Sequence, residues 1–258
     1  MLPRDVVGDE SAVRALQLAS AAGFFGRRFA NGLFRLLPVV AFRGRRAGRR
    51  GGGPRLKNER GEHRELGYPL GFLIVILGRQ QLFTENTLTP ILPLLRDKDR
   101  STALNVLRLW VLVLASNILG GLAFALVVTK SSLLSSDALT AVRLIGQEAL
   151  QPDFGTIFLR AIFAGWLIAL IVWLLPFAES GRIWVIIGIT YFVGLGHLCH
   201  VVAGSITVFA LAFTGDAGFG QVIAGFFLPA LLGNILGGLI LVAALNHAQV
   251  KAGGGDDD

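Results

Sequence analysis

The feature that most constrains this chain is a series of apolar stretches, each long enough to cross a lipid bilayer. About 20 mostly apolar residues span the roughly 30 Å of hydrocarbon, and such stretches recur after Leu66. They cover residues 67–95, 103–129, 154–177, 183–213 and 219–246. Only 16% of the residues are charged, against about 25% in soluble domains. We therefore expect an all-α, multi-pass membrane protein.

Basic residues are concentrated at the N-terminus. Residues 1–66 hold 14 Lys and Arg against 6 Asp and Glu, whereas residues 67–258 hold 10 against 11. The arginine-rich run 42–53 could bind RNA or an anionic membrane, but an unstructured or misassigned N-terminus explains it better, and we expect no nucleic-acid partner. We divide the chain into a Gly/Arg-rich leader, a channel domain and an acidic tail, which cover residues 1–65, 66–250 and 251–258.

The loops between the apolar stretches predict an orientation and one further helix. The cations of loop 96–100, Arg182 and Lys251 share one side of the membrane, which predicts a cytoplasmic C-terminus. Between Lys130 and Asp153, apolar residues recur at helical spacing. This pattern predicts an amphipathic helix on the membrane surface, with a packed linker as the alternative.

The motif Asn-Ile-Leu-Gly-Gly occurs twice, at residues 117–121 and 234–238. Each copy follows a polar interruption of an apolar stretch, since Thr84 lies 33 residues before Asn117 and His200 lies 34 before Asn234. The two copies are three crossings apart and so enter the membrane from opposite faces. We interpret them as parts of an inverted repeat with broken helices at the two interruptions.

The polar interruptions are the candidate functional segments, because polar and charged side chains at membrane depth are costly unless they are paired or face water. A broken helix also exposes backbone N–H groups that can hold an anion. Structural explanations stay open: Arg79 can pair with Glu85, and His200 can be a satisfied core histidine. We expect no metal site, because His197 and His200 lack an obvious third ligand, and we expect no cofactor.

The same segments resemble the formate/nitrite transporter family. Leu82-Phe83-Thr84 with Asn86 resembles its broken second helix, whose motif reads roughly G-[AG]-[ED]-L-F-T-x-N. Residues 198–205 resemble the broken fifth helix, F-E-H-x-x-A-N-M, and residues 234–238 resemble G-N-x-x-G-G of the sixth. The match covers about residues 66–249 and is closest to a poorly characterised inner-membrane branch.

The resemblance implies a homopentamer in a bacterial inner membrane, in which each protomer has its own six-helix, aquaporin-like pore. By position, Leu82 and Phe83 would form a hydrophobic constriction, and Thr84 would hydrogen-bond to a central histidine, His200. Arg160 falls where the family often has an anion-attracting lysine. We also count His197 and two departures from the motif, Gln81 and Gly204, among the candidate pore residues.

The departures bear on the substrate and on the first helix. Gly204-Ser205 replaces Asn-Met and Gln81 replaces a carboxylate, which leaves a wider or more polar pore for another small solute as an alternative. Residues 11–23 resemble the start of the family's first helix, but Arg/Gly-rich sequence follows. We expect a shifted frame or gene-model error across about residues 24–65, which would leave the first helix degraded.

The function that we expect is a channel or transporter for small monovalent anions, formate or nitrite, with the lipid bilayer and further copies of the chain as partners. A dry constriction disfavours an anion far more than its conjugate acid, and a histidine can relay a proton to it or attract it as imidazolium. The alternatives are a neutral-solute channel and a non-transporting membrane scaffold. An enzyme is not expected, because no nucleophile–base pair, Walker loop or dinucleotide motif appears.

Overall fold

The computed structural model of the protein describes residues 67–253, and every regular element in that range is a helix. The leader, the candidate first helix and residues 254–258 lie outside the described residues. The α-helices are α1 Gly67–Leu77, α2 Ile91–Asp97, α3 Arg100–Lys130, α4 Ser136–Leu150, α5 Phe154–Leu174, α6 Arg182–Leu195, α7 Val201–Thr214, α8 Phe219–Val222 and α9 Leu228–Gly253. Short 3-10 turns cover Glu85–Thr87 and Glu179–Gly181, and a π-helical segment, Ile223–Phe227, joins α8 to α9.

Three of the five predicted apolar stretches form continuous helices of membrane-spanning length. These helices are Arg100–Lys130, Phe154–Leu174 and Phe219–Ala244. The first predicted stretch is divided between α1 and α2, and the fourth is divided between α6 and α7. Both divisions lie at the polar interruptions, so the structure has a helix break at each place where polar residues enter an apolar stretch.

The long helices begin at side chains that cap them. Asp99 accepts a hydrogen bond from the Thr102 N–H at 2.9 Å at the start of α3, and Asp153 accepts one from the Thr156 N–H at 3.1 Å at the start of α5. Such caps satisfy backbone donors that the first helical turn leaves unpaired. Hydrogen bonds from neighbouring hydroxyls, and then these backbone bonds, hold the pKa of both carboxyls below its usual value.

Helices α5 and α9 pack closely because glycines remove side chains from their interface. A Cβ on Gly165 would lie 2.7 Å from Cα of Asn234, and one on Gly237 would lie 2.8 Å from N of Trp166. Neither glycine can therefore carry a side chain without moving a backbone. This small-residue contact is typical of helix pairs in membranes.

The broken helices pack on one another and on the intact ones. Helix α1 contacts α6, and α7 contacts both α3 and α4. The predicted amphipathic helix is confirmed as α4, which buries Ala138, Val142 and Gly146 against its neighbours. Because α4 packs on α7, it brings residues of the predicted surface helix to the edge of the second break.

The outer faces of the long helices are apolar. Leu104, Leu107, Val111 and Leu119 of α3 each expose more than half of their surface. Extended apolar surface of this kind is unusual on a soluble monomer and is typical of faces that meet lipid or another subunit.

Candidate permeation site

The two helix breaks have the same backbone shape. Helix α1 ends at Leu77 and α6 ends at Leu195, and each is followed by a glycine and then by a basic residue with positive φ. The φ of Arg79 is 51° and that of His197 is 48°. Matching hydrogen bonds close each helix end: Arg79 N–H to Ile76 O at 3.0 Å, Gln80 N–H to Val75 O at 2.9 Å, His197 N–H to Gly194 O at 3.0 Å and Leu198 N–H to Val193 O at 3.0 Å.

An asparagine from each repeated motif holds one of these breaks. The Asn117 side chain accepts from the Phe83 N–H at 3.2 Å and donates to the Gln81 carbonyl at 3.3 Å. Asn234 does the same for the second break, where it accepts from the Val201 N–H at 2.8 Å and donates to the Cys199 carbonyl at 2.8 Å. The amides therefore satisfy the backbone groups that each break would leave unpaired within the membrane.

These contacts show which residues of the two breaks correspond. They match Gln81 with Cys199 and Phe83 with Val201, which makes Leu82 and not Thr84 the counterpart of His200. Thr84 and His200 are the prominent polar residues of their breaks, but they occupy different positions in the repeated geometry.

His200 lies at the start of α7, and both nitrogens of its ring are within hydrogen-bonding distance of a partner. Nδ1 accepts a hydrogen bond from the Ala203 N–H at 3.1 Å, and Nε2 lies 2.7 Å from Thr84 Oγ1. Since Nδ1 is an acceptor, the neutral ring carries its proton on Nε2 and donates it to Thr84. A second proton on Nδ1 would face the Ala203 N–H and the positive end of the helix dipole, so the geometry suits a neutral imidazole.

His200 lines two cavities of different character. The first has a volume of about 400 Å³ and is lined by polar groups that include Glu148, Arg160 and His197, and we call it the vestibule. The His197 and Glu148 side chains are about half exposed, and Nδ1 and Oε1 lie 3.8 Å apart. The vestibule therefore reaches the protein surface and brings two basic residues towards His200.

The second cavity that His200 lines is small and apolar. Its volume is about 50 Å³, and it is lined by side chains that include Phe72, Val75, Leu82 and Ile206. The Phe72 ring meets the His200 ring edge to face at 5.2 Å between centroids. We call this cavity the apolar constriction, because its lining offers an ion little to replace lost water.

The structure brings most of the predicted pore residues together, but not all of them. Leu82 lines the apolar constriction, and Gly204 lines the vestibule. Phe83 lines neither cavity, and its buried ring packs against Trp110 at 6.0 Å between centroids. Gln81 also lines neither cavity, and its side-chain oxygen accepts from Asn86 at 2.8 Å. Leu82 is thus the member of the Leu-Phe pair that faces a cavity, the apolar constriction.

Gly204 does not widen the vestibule as the sequence led us to expect. A Cβ at this position would overlap Cζ of Phe226 and lie 2.8 Å from Cε1 of the same ring. The Phe226 ring, only 2% exposed, therefore fills the space next to Gly204. The missing side chain is replaced by a ring from the π-helical segment.

Several residues of the site were not expected from the sequence. Phe72 and Phe226 are two apolar residues among many, and Glu148 belongs to a helix that was predicted to lie on the membrane surface. Asn117 and Asn234 carried a signal in the repeated motif, although its spacing alone did not show that they hold the breaks. Within residues 67–253, no group of three or more His, Cys, Asp or Glu side chains is arranged to hold a metal ion.

The comparisons with known proteins agree with this architecture. The sequence profile of the family described as "Formate/nitrite transporter" matches residues 62–248. The "Inner membrane protein YfdC" of Escherichia coli (strain K12) is 40% identical over 186 residues, which cover 72% of this chain and 60% of that protein. The "Probable formate transporter" of Methanothermobacter thermautotrophicus is 29% identical over 69% of this chain and 71% of its own. The chain thus spans only 60% of the length of the Escherichia coli relative.

Solved structures show the same fold. A "Pentameric formate channel with formate bound" matches with a TM-score of 0.71 and 16% identity, covering 94% of this chain and 99% of that one. An "FNT family ion channel" matches with a TM-score of 0.67 and 19% identity, covering 91% and 96%. From the profile match together with the two broken helices, we conclude that this chain belongs to the formate/nitrite transporter family.

Proposed function

We propose that this protein carries small monovalent anions, such as formate and nitrite, across a bacterial inner membrane as a homopentamer whose C-terminus is cytoplasmic. The observation that carries the proposal is that His200 is bonded to Thr84 and lines both a vestibule with basic groups and an apolar constriction. The solved channel with formate bound is pentameric, and the apolar outer faces described above suit lipid and subunit contacts.

Arg160 is the residue that we expect to concentrate anions. It lines the vestibule together with His197 and Glu148, so two basic groups share the cavity with one carboxylate. A cation in a partly enclosed cavity raises the local concentration of counter-ions. The vestibule is therefore the side from which an anion would approach His200.

The apolar constriction favours passage of a neutral species. An ion loses its water there and gains little in return, whereas its conjugate acid keeps no net charge and crosses at lower cost. In the proposed step, a hydronium ion in the vestibule protonates His200, and the short-lived imidazolium passes one proton to the anion and returns to its neutral form, while the bond between Nε2 and Thr84 Oγ1 fixes the ring. One proton therefore accompanies each anion.

The hydrogen bond from the Ala203 N–H to Nδ1 of His200 supports the proposal that His200 passes a proton on and does not keep it. A lasting imidazolium would have to give up this hydrogen bond and place a cation at a helix N-terminus. We therefore assign His200 a relay role with a neutral resting state, in preference to a permanent cation that holds the anion.

Uptake into proteoliposomes tests the proposal. We expect formate and nitrite to enter faster than glycerol, and faster as the external pH falls. Arg160→Gln should weaken the apparent affinity for formate, whereas Arg108→Gln should not, because Arg108 lies exposed on α3 and lines neither cavity. Glycerol flux without anion flux would indicate a neutral-solute channel. No flux of either solute through an assembled oligomer would indicate a non-transporting membrane protein.

A further inference from the structure

The contact between Gly204 and Phe226 joins two helices at the wall of the vestibule. Gly204 lies in the first turn of α7, and Phe226 lies in the π-helical segment before α9. Both residues line the vestibule, together with His200 and Thr207. The Phe226 ring is thus a wall of the cavity next to the bonded histidine.

The π-helical segment explains how a phenylalanine comes to this place. A π-helical turn contains more residues than an α-helical turn, which shifts the side chains that follow it around the helix axis. Residues Ile223–Phe227 have this geometry and contact α7. The segment directs Phe226 into the space that a residue-204 side chain would otherwise occupy, and such segments often occur at functional sites.

We propose that Phe226 is a specificity-determining residue that limits the size of the anion admitted to His200. This inference rests on the proposed function and defines its substrate class by size: anions as small as formate and nitrite, with acetate and propionate largely excluded. The Phe226 ring fits in this place because Gly204 has no side chain. Residues 204 and 226 therefore act as one structural unit.

Removal of the ring should therefore change size selectivity more than transport itself. In Phe226→Ala, we expect the ratio of propionate to formate flux to rise at least about tenfold, the scale on which one apolar pocket distinguishes substrates that differ by a methylene group. Phe226→Leu should give an intermediate ratio. Phe192→Ala is the matched control, because Phe192 is 65% exposed and lines neither cavity.

A second measurement tests the contact without any transport. Gly204→Ala should lower the melting temperature of the purified oligomer, because the added methyl overlaps the Phe226 ring. Gly188→Ala controls for helix propensity, since nothing lies within 4 Å of the Cβ position in α6. In the Phe226→Ala background, Gly204→Ala should no longer be destabilising, which a double-mutant cycle detects.

The outcomes separate this inference from the proposed function. Formate flux with an unchanged propionate ratio in a folded Phe226→Ala protein would overturn the size limit and leave the proposed function intact. Absence of formate flux in the wild-type oligomer would overturn the proposed function and the size limit with it. Additive melting temperatures for Gly204→Ala and Phe226→Ala would overturn the contact on which the size limit depends.

Discussion

The two helix breaks have almost the same backbone but different chemistry. In both, a helix ends at a leucine, a basic residue takes positive φ, and an asparagine of the repeated motif bonds to the next backbone groups. At the same position in the two breaks, however, the first has Leu82 and the second has His200. Leu82 lines only the apolar constriction, whereas His200 lines both cavities.

The residues that repeat in the two breaks are those that the backbone requires. A break within the membrane needs its N–H and C=O groups satisfied wherever it occurs, so the asparagine appears in both halves. The residue between the two bonded backbone groups is under no such requirement. It is apolar in one half and a hydrogen-bonding imidazole in the other, which leaves one chemical centre between two similar supports.

Removal of the two motif asparagines should reduce stability the most, and the loss should differ between the two breaks. Asn234 makes its two break contacts at 2.8 Å and donates a third hydrogen bond to the Ala161 carbonyl at 2.8 Å, whereas the two Asn117 contacts are 3.2 and 3.3 Å. We expect Asn234→Ala to destabilise the protein by about 2–4 kcal/mol and Asn117→Ala by about 1–2 kcal/mol. Thermal unfolding in detergent measures both, and equal losses would contradict this ranking.

The next prediction concerns a substitution at Thr84 that gives the first break the residue found at the same position in the second. The residue that corresponds to Thr84 in the second break is Val202, by the register of the asparagine contacts. Thr84→Val should therefore remove the partner of His200 Nε2 and reduce formate flux about tenfold, the loss expected for a bond worth about 1.4 kcal/mol. Thr84→Ser keeps the hydroxyl and should retain most of the flux. Full activity of Thr84→Val would show that the hydroxyl takes no part.

A smaller effect concerns the shared positive φ of Arg79 and His197. Glycine adopts this conformation without the Cβ penalty, so Arg79→Gly and His197→Gly should each raise stability by up to about 1 kcal/mol. His197→Gly should also weaken the apparent affinity for formate, because His197 lines the vestibule. Unfolding and uptake assays on the same preparations check both results. A loss of stability in either variant would mean that the basic side chain supports its break.

The smallest expected effect involves the loop after the second broken helix. Asp216 bonds to the Arg143 guanidinium of α4 and to the Thr214 hydroxyl, and these contacts hold the pKa of the Asp216 carboxyl below its usual value. The Asp216 carboxylate is charged at pH values above its usual pKa. Its contribution to the stability of the protein is therefore present at neutral pH and is lost as the pH falls through the lowered pKa. Asp216→Asn should slightly lower the melting temperature at pH 7. A difference of the same size at pH values well below the usual pKa range of an aspartate would contradict this origin.

Much of the fold could be predicted because hydropathy and polar interruptions are local in the sequence. The three continuous spans, the two divided stretches and helix α4 all follow from patterns within about 30 residues. The spacings of 33 and 34 residues did not define the register of the repeat, because Thr84 and His200 are conspicuous polar residues but not structural counterparts. The backbone hydrogen bonds of Asn117 and Asn234 were needed to align them.

The site was only partly predictable because its walls come from distant segments. His200, Thr84 and Leu82 belong to recognisable motifs, and the structure brings them together. The vestibule wall at Gly204 depends on a π-helical turn about 20 residues later in the chain. No residue pattern in that segment predicted the turn. The packing of α4 on α7 likewise placed Glu148 in the vestibule, although the periodicity of α4 predicts only an amphipathic helix.

The proposed role of His200 is tested most directly by measuring formate and proton uptake together in proteoliposomes. We expect the wild-type oligomer to acidify the lumen in step with formate entry and to do so faster at low external pH. His200→Asn keeps a side chain suited to cap α7 but cannot relay a proton, so both signals should be lost while assembly persists. Formate uptake in His200→Asn that matches the wild type in rate and pH dependence would contradict the central role of His200.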